Sequence, residues 1–284
     1  RSTLDRSSAA SDVYKRQPLG QGFVEDYEAP AVSMQVAAFS VATTPVTNQE
    51  FAEFVAATGY ETIASRTGGS LVFEALLSED LGARAPRVPG TPWWRVVAGA
   101  DWLHPFGPEG PLATEALADH PVVHVSLADA LSYCQWAGVS LPTEAQWEYA
   151  ARAGRTTTFP WGQELEADGI YHANTWQGDF PRLNSQADGY LGTAPVKTYA
   201  PNDWGLYQVI GNVWEWCANP RYQLLQDFKQ AQPLPSLADL KGEYAIRGGS
   251  FLCHASYCQR YRLGARNGAD ALVTASHIGF RSIK

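Results

Sequence analysis

Cys253 and Cys258 lie five residues apart in the segment RGGSFLCHASYCQRYR, Arg247 to Arg262. On one regular element that spacing separates them: five steps along a strand change face, and five along a helix turn well over a hundred degrees. The sulfurs meet only if the chain bends between them. Gly248 and Gly249 allow such a bend, and Arg260, Arg262 and Arg266 bring positive charge that favours thiolate. Three chemistries are open to the pair: a local disulfide or two buried structural thiols, a redox couple, or a two-coordinate site for a soft cation. For the last, two thiolates suit Cu(I) and are too few for zinc or an iron–sulfur cluster.

Elements to position this segment are legible upstream. Residues 34–41 alternate as a strand. Thr47 with Glu50 forms a capping box for a helix with Phe51, Phe54 and Val55 inward and Gly59 as its stop. Ser126 with Asp129 opens a second helix, closed by Gly138, with Leu127, Ala130, Leu131 and Cys134 on its inner face. Thr143 with Gln146 opens a third, with Trp147, Ala150 and Ala151 inward and Gly154 as stop. Glu144 and Glu148 read as acidic complements to that helix's dipole. Residues 61–119 read as a long irregular stretch, dense in apolar residues only at LVF and PWWRVV. Two oxygen-rich loops, 174–190 and 208–215, suit a hard cation such as calcium. Residues 227–241 read as a polar surface loop.

Composition bounds the rest. A chain of 284 residues with 25 glycines, 18 prolines and 34 aromatics against one methionine points to a loop-rich α+β fold held by aromatic side chains. A net charge of −8 without a basic tract argues against nucleic acid or an anionic membrane as partner. No apolar run is long enough to span a bilayer, no hydrophobic signal core opens the chain, and four cysteines make no disulfide scaffold. The expected setting is a bacterial cytoplasm. Residues 1–17 are polar and aperiodic and read as a disordered tail or a cloning scar, leaving 18–284 as the catalytic domain.

The cysteine segment closely resembles the C-terminal signature of the formylglycine-generating enzymes, the sulfatase-modifying factors. Similar stretches include TPVTNQEFAEFV, LPTEAQWEYAARAG, NTWQGDFP and GLYQVIGNVWEW. Retention of CHxSYC resembles the cysteine-pair copper oxidase branch. The resemblance implies a single-domain fold distantly like C-type lectins. It also implies oxidation of a cysteine in an unfolded sulfatase, within Cys-x-Pro-x-Arg, to Cα-formylglycine, with molecular oxygen and an external thiol reductant.

By the same resemblance Cys253 and Cys258 hold Cu(I). Ser250 and Tyr257 hydrogen-bond oxygen or a thiolate, and Trp214 walls the oxygen pocket. Trp93, Trp94, Arg260 and His277 line the peptide groove. Asn174, Thr175, Asp188 and Tyr190 would hold one calcium ion, and Gln208, Gly211, Val213 and Glu215 a second. Arg260 and Arg262 are open to a second role as ion pairs that fix the loop. His120 and His124, four apart, resemble two-thirds of an iron motif, but Ser126 replaces its carboxylate and Pro121 bars the helix, so structural histidines are expected. The lead-in GADALVT and His277 depart from the family pattern and leave two alternatives: an oxidase of a different thiol, or a non-catalytic lectin-like scaffold.

Overall fold

The computed structural model describes residues 6–9, 12–15, 26–28, 32–167, 169–224, 227–228, 235–237 and 240–284. Strands β1 (Arg6–Ala9), β2 (Asp12–Lys15), β3 (Ser33–Val36) and β4 (Phe39–Ala42) precede helix α1 (Asn48–Thr58). Then follow α2 (Ile63–Thr67), β5 (Gly69–Phe73), α3 (Glu79–Arg84), β6 (Arg87–Val88), β7 (Thr91–Ala98) and α4 (Ala113–Ala116). Helices α5 (Leu127–Ala137) and α6 (Glu144–Arg152) lead to the hairpins β8 (Glu166–Ala167) with β9 (Ile170–Tyr171) and β10 (Gly178–Asp179) with β11 (Leu183–Asn184). The last four strands are β12 (Trp214–Pro220), β13 (Glu243–Arg247), β14 (Asn267–Asp270) and β15 (Ile278–Gly279).

All three expected capping boxes form, and each fixes a helix start. Thr47, Ser126 and Thr143 accept from the third helical N–H, and Glu50, Asp129 and Gln146 reach back. Gly59 and Gly138 stop α1 and α5 in the left-handed region. The third helix stops at Ala153 rather than Gly154, with Ala153 itself at φ +47°. The expected strand over 34–41 is two strands broken at Ala37 and Ala38.

Two expectations need correction. Residues 61–119 hold a three-stranded sheet in the order β5-β7-β6 and three short helices, each too brief for its period to show. Part of 1–17 is ordered: β1 pairs antiparallel with β4 and β2 with β3. Open strand edges offer unpaired backbone groups to any extended segment, whatever its side-chain pattern.

The sheet that carries the cysteine segment runs β14-β13-β12-β15. Glu215 stands opposite Arg247 in the antiparallel β12–β13 pair, and Trp214 opposite Ile278 in the parallel β12–β15 pair. Helix α6 lies against β12 and β13 and sends two carboxylates inward. Glu144 accepts from Arg247 at 3.1 Å and from Arg266 at 2.5–3.1 Å; Glu148 accepts from Arg247 at 2.8 Å and Arg152 at 3.0 Å. All five side chains are buried. They are therefore buried ion-pair partners rather than solvent-facing complements to a helix dipole. The Glu144 carboxyl is nevertheless held below the ordinary carboxylate range, because Arg266 and Arg247 outweigh the burial that would raise it.

Candidate active site

Strand β13 ends at Arg247 and hands the chain to Gly248 (φ +93°) and Gly249 (φ +80°). At Gly249 a Cβ would lie 2.6 Å from Tyr261 Cβ and 3.4 Å from Cys253 Sγ, so only glycine lets the two limbs of the loop close. Two turns follow: Cys253 N–H donates to Ser250 O at 2.9 Å and Cys258 N–H to His254 O at 2.8 Å. Beyond the loop, Trp176 N–H donates to Cys253 O at 3.1 Å and Phe251 N–H to Asn212 O at 3.0 Å.

These turns bring the sulfurs together. The Cys253 thiol donates to Cys258 Sγ at 3.1 Å, both residues are buried, and both are free thiols. Cys258 is shifted below the usual thiol range by the Cys253 hydrogen bond first, then by the Arg260 N–H and guanidinium, against burial. Cys253 is pushed up, by burial first and then by its neighbour. Of the two thiols, Cys258 is the one more readily deprotonated. Ser250 adds its N–H to Cys253 Sγ at 3.4 Å and its hydroxyl accepts from Leu252 N–H at 3.3 Å.

Tyr257 stands at the rim, 44 % exposed. Its ring stacks on Phe180 at 4.3 Å and meets Trp93 edge-on at 5.2 Å. Burial, then Cys258 and Cys253, push its phenol up, so it stays neutral at physiological pH. Trp93 and Trp176 both pack edge-on against Phe180, at 5.4 and 5.2 Å. Of the two expected tryptophans only Trp93 reaches Tyr257; Trp94 turns inward to His277 at 4.7 Å and Phe73 at 6.1 Å.

His277 is brought to that inner cluster with a buried, unpartnered Nδ1, and burial followed by His124 lowers it to about 3. Trp214 is buried at the start of β12, its N–H donating to His277 O at 2.9 Å. Arg260 and Arg262 are ion-paired, with Asp26 and with Glu28 at 3.0 Å. His120 bonds Thr193 at 2.9 Å and His124 bonds Ser70 at 2.8 Å and Pro105 O at 3.1 Å, the structural roles expected of them. The sequence reading did not single out Phe180, Trp176, Asp26 or Glu28. The aromatic run in NTWQGDFP was the available signal for the first two; nothing local signalled the acids.

Among the described residues no three His, Cys, Asp or Glu side chains cluster to hold a metal. The donors for a soft cation are the two thiols, and that donor set fits Cu(I). For calcium, the first expected set fits. Asn174 Oδ1 is buried and unpartnered, burial raises the Asp188 carboxyl, and Gln177 Nε2 lies against Thr175 O and 3.0 Å from Asp188 Oδ2. Tyr190 N–H donates to Asp188 Oδ1 at 3.1 Å, so all four residues adjoin. The second set fits poorly. Gln208 Oε1 is buried and unpartnered, but Glu215, the set's one carboxylate, already receives Arg281 at 2.9 and 3.0 Å and Trp147 Nε1 at 2.7 Å.

Comparison with known proteins agrees with this geometry. The chain is 43% identical over 259 residues to a formylglycine-generating enzyme of Bos taurus, covering 90% of this chain and 68% of the relative. It is 44% identical over 265 residues to one of Thermomonospora curvata, covering 91% and 86%. A Bos taurus relative 38% identical over 261 residues, covering 90% and 80%, bears the name inactive C-alpha-formylglycine-generating enzyme 2. In fold the chain resembles PvdO from Pseudomonas aeruginosa, with a TM-score of 0.68, 23% identity and coverage of 97% and 92%. The sulfatase-modifying factor enzyme 1-like domain matches residues 12–284, and with the two cysteines brought together on one bent loop the chain belongs to that family.

Proposed function

We propose that this protein converts a cysteine in a sulfatase-type Cys-x-Pro-x-Arg segment to Cα-formylglycine in a bacterial cytoplasm. The observation that carries the reading is the buried pair of free thiols at 3.1 Å beneath an aromatic rim. The overall change balances as one cysteine, one O2 and two external thiols giving the aldehyde, hydrogen sulfide, a disulfide and water. Cys253 and Cys258 would hold Cu(I), which supplies one-electron chemistry with oxygen that thiols alone lack.

The chain's own residues do the rest. The hydrogen bond from Cys253 and then Arg260 favour thiolate at Cys258, and Cys253 gives up its proton when the pair takes a cation. Tyr257, Phe180 and Trp93 offer an extended peptide an apolar surface and keep bulk water from the sulfurs. A single calcium ion at Asn174, Thr175, Asp188 and Tyr190 would tie together the loops behind the cysteine segment, a stabilising role.

The test is a peptide carrying Cys-Thr-Pro-Ser-Arg, incubated with Cu(I)-loaded protein, oxygen and thiol and followed by mass. Aldehyde is expected, and Cys258→Ser should abolish it. Activity confined to another thiol would move the reading to a different substrate; no copper uptake would leave a scaffold.

A further inference from the structure

Four rings stand in file between the cysteine loop and the surface. Tyr261 stacks on Phe159 at 6.1 Å and 11°, Phe159 on Trp161 at 5.3 Å and 5°, and Trp161 on His172 at 5.1 Å and 20°. A tight turn makes the file: Phe159 N–H donates to Gly162 O at 2.9 Å, which folds Trp161 back over Phe159. Leu263 N–H donates to Thr158 O at 3.0 Å and ties that turn to the limb that follows Cys258.

The inner end of the file reaches the sulfurs. A Cβ on Gly249 would lie 2.6 Å from Tyr261 Cβ and 3.4 Å from Cys253 Sγ, so the stem of the ring and the sulfur face each other across one missing methyl. Tyr261 and Phe159 are buried, whereas Trp161 and His172 are partly exposed. The outer end opens on a hollow of about 140 Å³ lined by Trp161, His172, Arg155 and Gln208. Gln208 is 6 % exposed, and its Oε1 is a buried acceptor without a partner, which suits a donor group on a small ligand.

Electron supply is the need this arrangement meets. Both sulfurs are buried, and a peptide lying on the rim of Tyr257, Phe180 and Trp93 closes the direct way in for an external thiol. Indole and phenol give up single electrons, and a phenyl ring stacked between them bridges the gap. We propose that the hollow at Trp161 seats a low-molecular-weight thiol, and that Trp161 and Tyr261, bridged by Phe159, pass its electrons to the cysteine pair. The inference rests on the oxidase reading above. Two thiols release two protons to water and one electron each, and their sulfurs join as a disulfide. The two electrons, with two protons from water, complete the reduction of oxygen.

The test follows thiol dependence in the full chain, loaded with Cu(I) and given oxygen, the Cys-Thr-Pro-Ser-Arg peptide and dithiothreitol. Trp161→Phe keeps the file filled but removes the oxidisable indole. It should raise the dithiothreitol concentration for half-maximal rate severalfold and leave that for peptide unchanged. Trp161→Tyr restores an oxidisable ring and should recover most of the loss, while Trp136→Phe, on α5 outside the file, should change neither value. In wild-type protein run short of thiol, mass mapping should find oxidised Trp161, and Tyr261→Phe should prevent it. If Trp161→Phe fails to fold, Tyr261→Phe serves in its place, with the same shift in thiol dependence expected. Unchanged thiol dependence, an equal shift for peptide, or unoxidised Trp161 in the thiol-starved protein would overturn the relay. A diazirine-bearing thiol photolysed with copper-free protein should mark Trp161 or His172, and label only elsewhere would overturn the thiol site. Wild-type protein that makes no aldehyde while the photolabel still marks the hollow would overturn the oxidase reading and leave the thiol site standing.

Discussion

Cys253 and Cys258 share one loop yet shift in opposite directions, Cys258 downward through the hydrogen bond from Cys253 and then Arg260, Cys253 upward through burial. Thiolate is the nucleophilic form, so reactivity should follow. At neutral pH, limiting iodoacetamide is expected to label Cys258 faster than Cys253, following the opposite directions of their shifts. Mass mapping of the labelled peptides checks this, and equal labelling would refute the asymmetry. The bend between the cysteines could be inferred from spacing and the glycine pair, before any coordinates. Which sulfur shifts down could not, since it depends first on a hydrogen bond between two side chains that only the folded loop brings to 3.1 Å. Phe180 was hidden for a similar reason: a stacking partner for Tyr257 is set by how two loops meet, and neither segment alone shows it.

At the scale of elements, caps were the most readable signals. A Ser or Thr with an acidic or amide residue three positions on satisfies its own helix end locally, so α1, α5 and α6 begin where the sequence places them. The sheet of β5, β6 and β7 was missed because β6 has only two residues and β7 buries Trp94 and Arg95 side by side, which breaks the alternation. Glu144 and Glu148 were misread because a first-turn acid looks the same whether it faces solvent or two arginines. Removing one partner of a buried pair leaves the other charge uncompensated. Glu144→Gln, leaving Arg247 and Arg266 short of a counter-charge, should cost about 3–5 kcal/mol in urea unfolding. A loss below about 1 kcal/mol would mean that solvent reaches this network.

The molecule as a whole keeps two imidazoles neutral in its interior. His124 is fully buried and lowered to about 4, with burial the main cause, while the unfolded chain titrates near 6.5. Between those values the unfolded state binds the extra proton, so stability is complete above about pH 6.5 and falls as pH drops. His124 alone should contribute a slope approaching about 1.4 kcal/mol per pH unit over that window, and His277, also lowered, should add to it. Urea midpoints at pH 7 and pH 5 test this; a flat profile would show that the interior admits the proton. Among the described residues no helix is long and apolar enough to cross a membrane. The α+β class was legible from composition, whereas the order of strands around β12 and β13 was not, because the two-residue β15 carries no period and crosses over to pair in parallel with β12.

One consequence follows from Glu144, which grips Arg247 and Arg266 at the two ends of the cysteine loop. During synthesis that glutamate leaves the ribosome 103 residues ahead of Arg247, which at about 5–20 residues per second is a lead of seconds. The acid is thus made before the sulfurs, whereas Arg266, its second partner, is made after them. The loop that carries the two thiols can therefore be gripped at both ends only once the chain has run past Arg266.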